Sequence, residues 1–457
     1  SVGLLSVLLG CCFAFLISKT TIPFFKQLRL LLLLPLLLPS YVICVAWNDV
    51  WLFSGVNKNL IYSLPAVVFI LTTIYTPLAA FIIQNGFKNI NAGMEEAGMM
   101  ITSYNKVFFK IVLPLLRPAL FSSFILIFIL SLSEFAVPSY LSIPVFTTEI
   151  FTQFSAFYNY SLATVQSLIL TAICLLLLLP ERRYLTKEHF FSFGKKAFRF
   201  RVFELANKTI PLILAILYII FTVLMPVLFL TTQTFSKGEA FFLEIVEMLL
   251  PSVKDSLFIG VAAAFIVTVF GLIFAWLTVQ FKFRLLQTVL LFVFAVPAIV
   301  TGVSLILFYN TRSLNFIYSS ILIIFIAFTA RFVFISVKII SDSLQQIPAS
   351  FTDAAYMMGA TPLHIFRKIT IPLLGEALFT SFFIILIFCL NELSTVIMIY
   401  PPGTSFLPVT IFTRTANAPQ HIVSGMSLVA LLFTIVILLG IFFGKKMLFN
   451  QQWRESR

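Results

Sequence analysis

The chain has 457 residues, 60% hydrophobic and 10% charged, with a mean hydropathy of +1.08. A soluble core of this length cannot bury that much apolar side chain, so a soluble enzyme or binding module is excluded and an integral membrane protein is required. The net charge of +13 raises nucleic acid as a partner, a reading that the placement of the basic residues removes.

A helix needs about 20 apolar residues to cross roughly 30 Å of hydrocarbon with every backbone amide satisfied inside the segment. Eleven such runs occur, near 2–18, 28–48, 62–84, 112–132, 161–180, 209–231, 256–280, 286–308, 316–339, 371–391 and 424–444. The expected fold class is an all-α, polytopic membrane protein. The first run lacks the basic start of a cleavable signal and reads as a genuine span. Run 28–48 contains Pro39 and run 286–308 contains Pro297, 258 residues apart. Proline removes an amide donor and bends a helix, so both are candidates to line a pathway, with a kink kept for packing as the alternative.

The fourth and tenth runs expose a duplication at the same offset. Ile111 to Phe135 and Ile369 to Leu393 share 13 of 25 positions, including Ile111/Ile369, Pro114/Pro372 and Glu134/Glu392. Five early spans map onto five late ones, while 209–231 has no early counterpart, so a missing first helix and an original 6+6 plan are inferred. The expected division is a first half at 1–180, a basic linker at 181–208 and a second half at 209–457. Alternating the loops across the membrane places 22 of the 30 Lys and Arg on one side and five on the other, with Arg117, Arg331 and Lys338 inside spans. That side is cytoplasmic by the positive-inside rule, so the basicity reports topology.

Before each repeat lies a polar stretch in a cytoplasmic loop: Glu95-Glu96-Ala97-Gly98-Met99-Met100-Ile101 and Asp353-Ala354-Ala355-Tyr356-Met357-Met358-Gly359. Each ends ten residues later in I-x-[L/I]-P. A short helix of small and apolar residues there cannot bury its own face and offers a knob to a partner's groove. These residues resemble the EAA loop of the permease subunits of binding-protein-dependent ABC importers. The resemblance implies that Glu95, Glu96, Ala97, Gly98, Asp353, Ala354, Ala355 and Gly359 couple the chain to two copies of an ABC ATPase. Copy one departs from the pattern at Glu96 and Ile101. No G-x-x-x-x-G-K-[S/T] loop occurs in the sequence, so the chain is expected to be no enzyme and to bind no cofactor, ATP and Mg being used by the partner.

The stretches from Leu38, Ser133 and Asn391 resemble most the fused permeases of ferric-iron importers. Thiamine, polyamine, sulfate and phosphonate permeases are similar. The resemblance implies a bacterial cytoplasmic (inner) membrane location and a periplasmic binding protein that delivers cargo, with membrane lipid as the other partner and no nucleic acid. Ser133-Glu134 and Asn391-Glu392 occupy one repeat position at the periplasmic ends of equivalent helices. They are pathway candidates, and the two carboxylates are weak metal candidates; the alternative is an acid that caps a re-entrant turn. Tyr140, Glu149, Tyr158 and Tyr160 supply further oxygen ligands nearby. An ion-coupled secondary transporter is the rival, and it needs ionisable groups at mid-membrane. Arg331 is the one residue clearly there, expected either to pair with a cytoplasmic-side acid or to line the pathway. The five cysteines fall in spans without metal or redox spacing and are expected to pack in apolar surroundings.

Overall fold

The computed structural model describes residues 1–20, 32–88, 90–185, 209–415 and 417–455, which form helices and their connections. Residues 28–31 of the second run and 186–208 of the linker lie outside the described residues. Among the described residues eight helices are long and apolar enough to span, and two bent pairs raise the number to ten. The remaining run, 28–48, is represented by residues 32–37 and the helix Ser40–Phe53, which is 14 residues long.

The 258-residue offset is reproduced in the backbone at several helix starts. Leu64–Lys88 and Leu322–Leu344 start at equivalent positions, as do Ser40–Phe53 and Ala298–Tyr309. Five-residue π-helical turns recur at Phe108–Val112 and Phe366–Thr370, just ahead of Pro114 and Pro372. A proline that cannot donate to the preceding turn favours such a local widening. Pro39 and Pro297 do more than kink their helices. Each sits in extended backbone (ψ 133° and 145°) at the N-cap of a new helix, and the second break turns the chain by 100°.

Burial follows the same symmetry. Leu64–Lys88 and Leu322–Leu344 are the most enclosed spans, 78% and 67% buried, whereas Leu212–Phe235 is 17% buried and offers its apolar side chains to lipid. Two compact units emerge. One holds the described residues of 1–190, 195–248 and 411–430; the other holds those of 249–410 and 431–457 apart from a short linker piece. The first unit therefore includes segments from late in the sequence. Within it, Phe221 packs on Trp47 with ring centroids 4.9 Å apart, and Tyr218 on Phe13 at 4.7 Å. The Tyr218 hydroxyl also donates to the Thr73 carbonyl at 3.4 Å. Pro77 lies four residues on in that helix and cannot satisfy this carbonyl itself, so a neighbouring helix does.

Cys44, Cys174 and Cys389 are buried as expected, but Cys11 is only half-buried and Cys12 is exposed, because their helix turns that face outward beside exposed Leu8 and Leu9.

Candidate functional site

The first candidate coupling segment is the helix Ala92–Ile101, begun by Asn91, whose side chain accepts from the Gly93 amide at 2.9 Å. Glu95 is fully buried and ion-paired with Lys19, the last residue of the first span. The ammonium also lies 5.9 Å over the Phe87 ring. Gly98 faces inward: a Cβ there would sit 2.9 Å from Ile111 Cδ1 and 3.1 Å from Val107 Cγ2, so a larger residue forces these side chains to shift where the segment seats on the helix that follows. Glu96 and Ala97 are exposed, and Met100 and Ile101 are 90% and 88% exposed.

Its repeat is the helix Ala349–Met357. Asp353 and Ala354 are exposed, Ala355 is half-buried, and Met357 and Met358 protrude like Met100. Gly359 adopts φ +79° and ends the helix, its amide donating to Tyr356 O at 2.9 Å and the Ala360 amide to Ala355 O at 3.1 Å. That closure satisfies the last carbonyls and needs a left-handed residue. Ile101 stands at the equivalent place and cannot adopt that conformation cheaply, so the first helix ends two repeat positions later, at extended Thr102. Lys19 also has no counterpart, since the offset lands on Leu277.

At the other ends of the spans, each glutamate meets the proline break of its own half. Glu134 follows the helix Leu113–Ser133 in extended backbone; its carboxylate accepts from Ser40, directly after Pro39, at 2.9 Å and from Tyr75 at 3.3 Å. Its carbonyl accepts from Thr147 at 2.7 Å. Ser133 bonds back to Ile129 O at 2.8 Å within the helix. Glu392 follows Gly375–Asn391 and is held differently. It pairs with Arg331 at 3.1 Å and caps the next turn through the Thr395 amide at 3.0 Å. Arg331 donates in addition to Val296 O at 3.3 Å, and Thr395 to Ala298 O at 3.2 Å, the two residues that flank Pro297. Arg331 thus pairs with the acid opposite to the cytoplasmic side expected for it, because its helix crosses the end of Gly375–Asn391 there. Lys338 pairs with Asp342 at 3.0 Å along one helix.

The four oxygen ligands near Glu134 do not converge. Glu149 accepts from Gln153 at 2.8 Å, Tyr158 and Tyr160 are exposed, and Tyr140 accepts from the Asn48 amide at 3.5 Å. Among the described residues no group of three His, Cys, Asp or Glu can hold a metal ion. Sequence reasoning missed a polar cluster around Asp49, which is 1% exposed and accepts from Gln420 and, at 2.7 Å, from Ser424. The signal available was Asn48-Asp49 at the edge of an apolar run; its partners lie 371 and 375 residues away.

The description "binding-protein-dependent transport system inner membrane component" matches residues 6–180 and 267–450, most of the chain. The chain belongs to that family. The permease is accordingly a multi-pass inner-membrane subunit of an ABC importer. The Fe(3+)-transport system permease protein FbpB 2 of Haemophilus influenzae is 24% identical over 94% of this chain and 85% of its own length. The ferric transport system permease protein FbpB of Actinobacillus pleuropneumoniae is 23% identical over 95% of this chain and 68% of its own length. The putative 2-aminoethylphosphonate transport system permease protein PhnV of Salmonella typhimurium is 31% identical, but over 32% of this chain and 54% of its own length.

Proposed function

We propose that the chain moves ferric iron from a periplasmic binding protein to the cytoplasm by alternating access, driven by ATP hydrolysis in two copies of a partner ATPase. The observation that carries the cargo assignment is the likeness to ferric permeases along nearly the whole chain. The phosphonate likeness is confined to a third of it. The access change rests on the duplicated halves 1–180 and 209–457, joined by the linker at 181–208, with the described residues of 209–248 packed into the first compact unit.

The coupling helices Ala92–Ile101 and Ala349–Met357 dock into the two ATPases through Met100, Ile101, Met357 and Met358, with Glu96, Ala97, Asp353, Ala354 and Ala355 around them. Unbranched methionine adapts to a groove that changes shape through the ATP cycle. Glu95, Gly98 and Gly359 hold these helices in place. Pro39, Ser133 and Glu134 line the pathway in one half, and Pro297, Asn391 and Glu392 in the other. A cation at Glu392 competes with Arg331, and one at Glu134 competes with hydroxyl hydrogen bonds, so any binding there is loose enough to allow release.

The test is ATP-driven uptake of radiolabelled ferric iron into proteoliposomes that contain this chain, the ATPase and the binding protein encoded nearest to it. Uptake that requires all three supports the proposal. Uptake of an aminoethylphosphonate, thiamine or a polyamine under the same requirement, with none of iron, overturns the cargo assignment and keeps the mechanism.

A further inference from the structure

The Asp49 cluster is absorbed neither by the coupling helices nor by the proline breaks. It gathers Asn48 and Asp49 near the end of Ser40–Phe53, Tyr140 at the end of Ala136–Tyr140, and Gln420 and Ser424 at the start of Gln420–Glu455. All belong to one compact unit. Gln420 bridges the group, since it donates to Asp49 and also reaches the Tyr140 hydroxyl.

Asn48 supplies a second, independent sign. The residue is 2% exposed, its amide nitrogen faces Tyr140, and its carbonyl oxygen is buried with no hydrogen-bond partner. An acceptor stranded in this way costs free energy unless something positive meets it. Every group here can present oxygen: the Asp49 carboxylate, the Asn48 carbonyl, the Tyr140 and Ser424 hydroxyls, and the Gln420 amide after a flip. Oxygen-only sets suit hard cations.

The fold does not require the cluster. The offset carries Asn48, Asp49 and Tyr140 onto Ile306, Leu307 and Met398, so the second copy of the same architecture places apolar residues at these positions. Asp49 stands four residues before the end of its helix, about 6 Å along the axis, at the end that the charge bias assigns to the periplasm.

We propose that Asn48, Asp49, Tyr140, Gln420 and Ser424 form a receiving station for a hard multivalent cation, carried by the first half alone; as a cargo site, it rests on the ferric reading above. The cation displaces the Gln420 and Ser424 donors from Asp49 and takes the free Asn48 carbonyl. A single carboxylate leaves a trivalent ion under-neutralised, so it passes on toward Glu134, which accepts from Ser40, nine residues or about 13 Å back along the Asp49 helix.

Terbium(III), a hard trivalent ion whose emission Tyr and Trp sensitise at close range, tests the station on the detergent-purified full chain. Saturable emission is expected, at least tenfold weaker in Asp49→Asn and tightened at least fivefold by Asn48→Asp. That gain cannot arise from misfolding. Emission equal in wild type and Asp49→Asn, or no saturable emission in wild type, overturns the station. The same variants are then assayed for ferric uptake in the three-component proteoliposomes. Asp49-dependent terbium binding without ferric uptake keeps a hard-cation site and overturns the ferric reading. Ferric uptake that Asp49→Asn leaves unchanged overturns the station and keeps that reading.

Discussion

The two candidate coupling helices are copies by sequence and unlike by attachment. Ala92–Ile101 is tied by a buried ion pair to the last residue of the first span and seated by Gly98 on the helix that follows it. Ala349–Met357 exposes its acid and depends on a left-handed glycine to end it. A duplicated scaffold therefore tolerates two ways of holding the same knob, and under the proposed coupling a docked ATPase would meet a differently attached support in each half.

The ion pair gives the largest lever on that difference. Lys19→Met strands Glu95 in the interior, which costs about 3–5 kcal/mol. The melting temperature of the purified permease should drop and largely recover in Lys19→Met/Glu95→Met; equal melting of single and double variants would show that the pair does not anchor the helix. The matching change in the second unit is Arg331→Met, which leaves Glu392 held only by Thr395. A loss of about 3 kcal/mol is expected, less than for Lys19 because this pair is partly exposed, and Arg331→Met/Glu392→Met should restore most of it. Asp353→Arg should leave melting unchanged and cut ATP-driven uptake at least tenfold, or about 1.4 kcal/mol in the barrier; normal uptake would remove Asp353 from the coupling surface. The smallest effect sharpens the comparison of helix ends. Gly359→Val should destabilise by about 1–2 kcal/mol because φ +79° strains a β-branched residue, whereas Ile101→Val, in ordinary helical backbone, should be nearly silent.

The spans were legible from hydropathy because lipid forces each backbone to satisfy itself locally, and the repeat was legible because 25 residues kept their spacing. Pro39 and Pro297 announced an irregularity, yet only the fold shows that each opens a new helix beside a glutamate of its own half. Glu392 and Arg331 are 61 residues apart, and Asp49 and Ser424 are 375 apart. No local pattern encodes such meetings, which depend on which helices end up adjacent. The difference between Gly359 and Ile101 could be read as a departure from the family pattern, and its consequence follows from the φ that each residue type can adopt.

The packing of Phe221 on Trp47 and of Tyr218 on Phe13 bears on how the protein is made. The early spans leave the ribosome before the helix that covers these rings exists. Until residues 209–235 have been synthesised, Trp47 and Phe13 lack these ring partners and the Thr73 carbonyl lacks its Tyr218 donor. Biogenesis of this single polypeptide is thus an assembly problem of the kind met by two-subunit complexes, with the later segment serving as the subunit that arrives second.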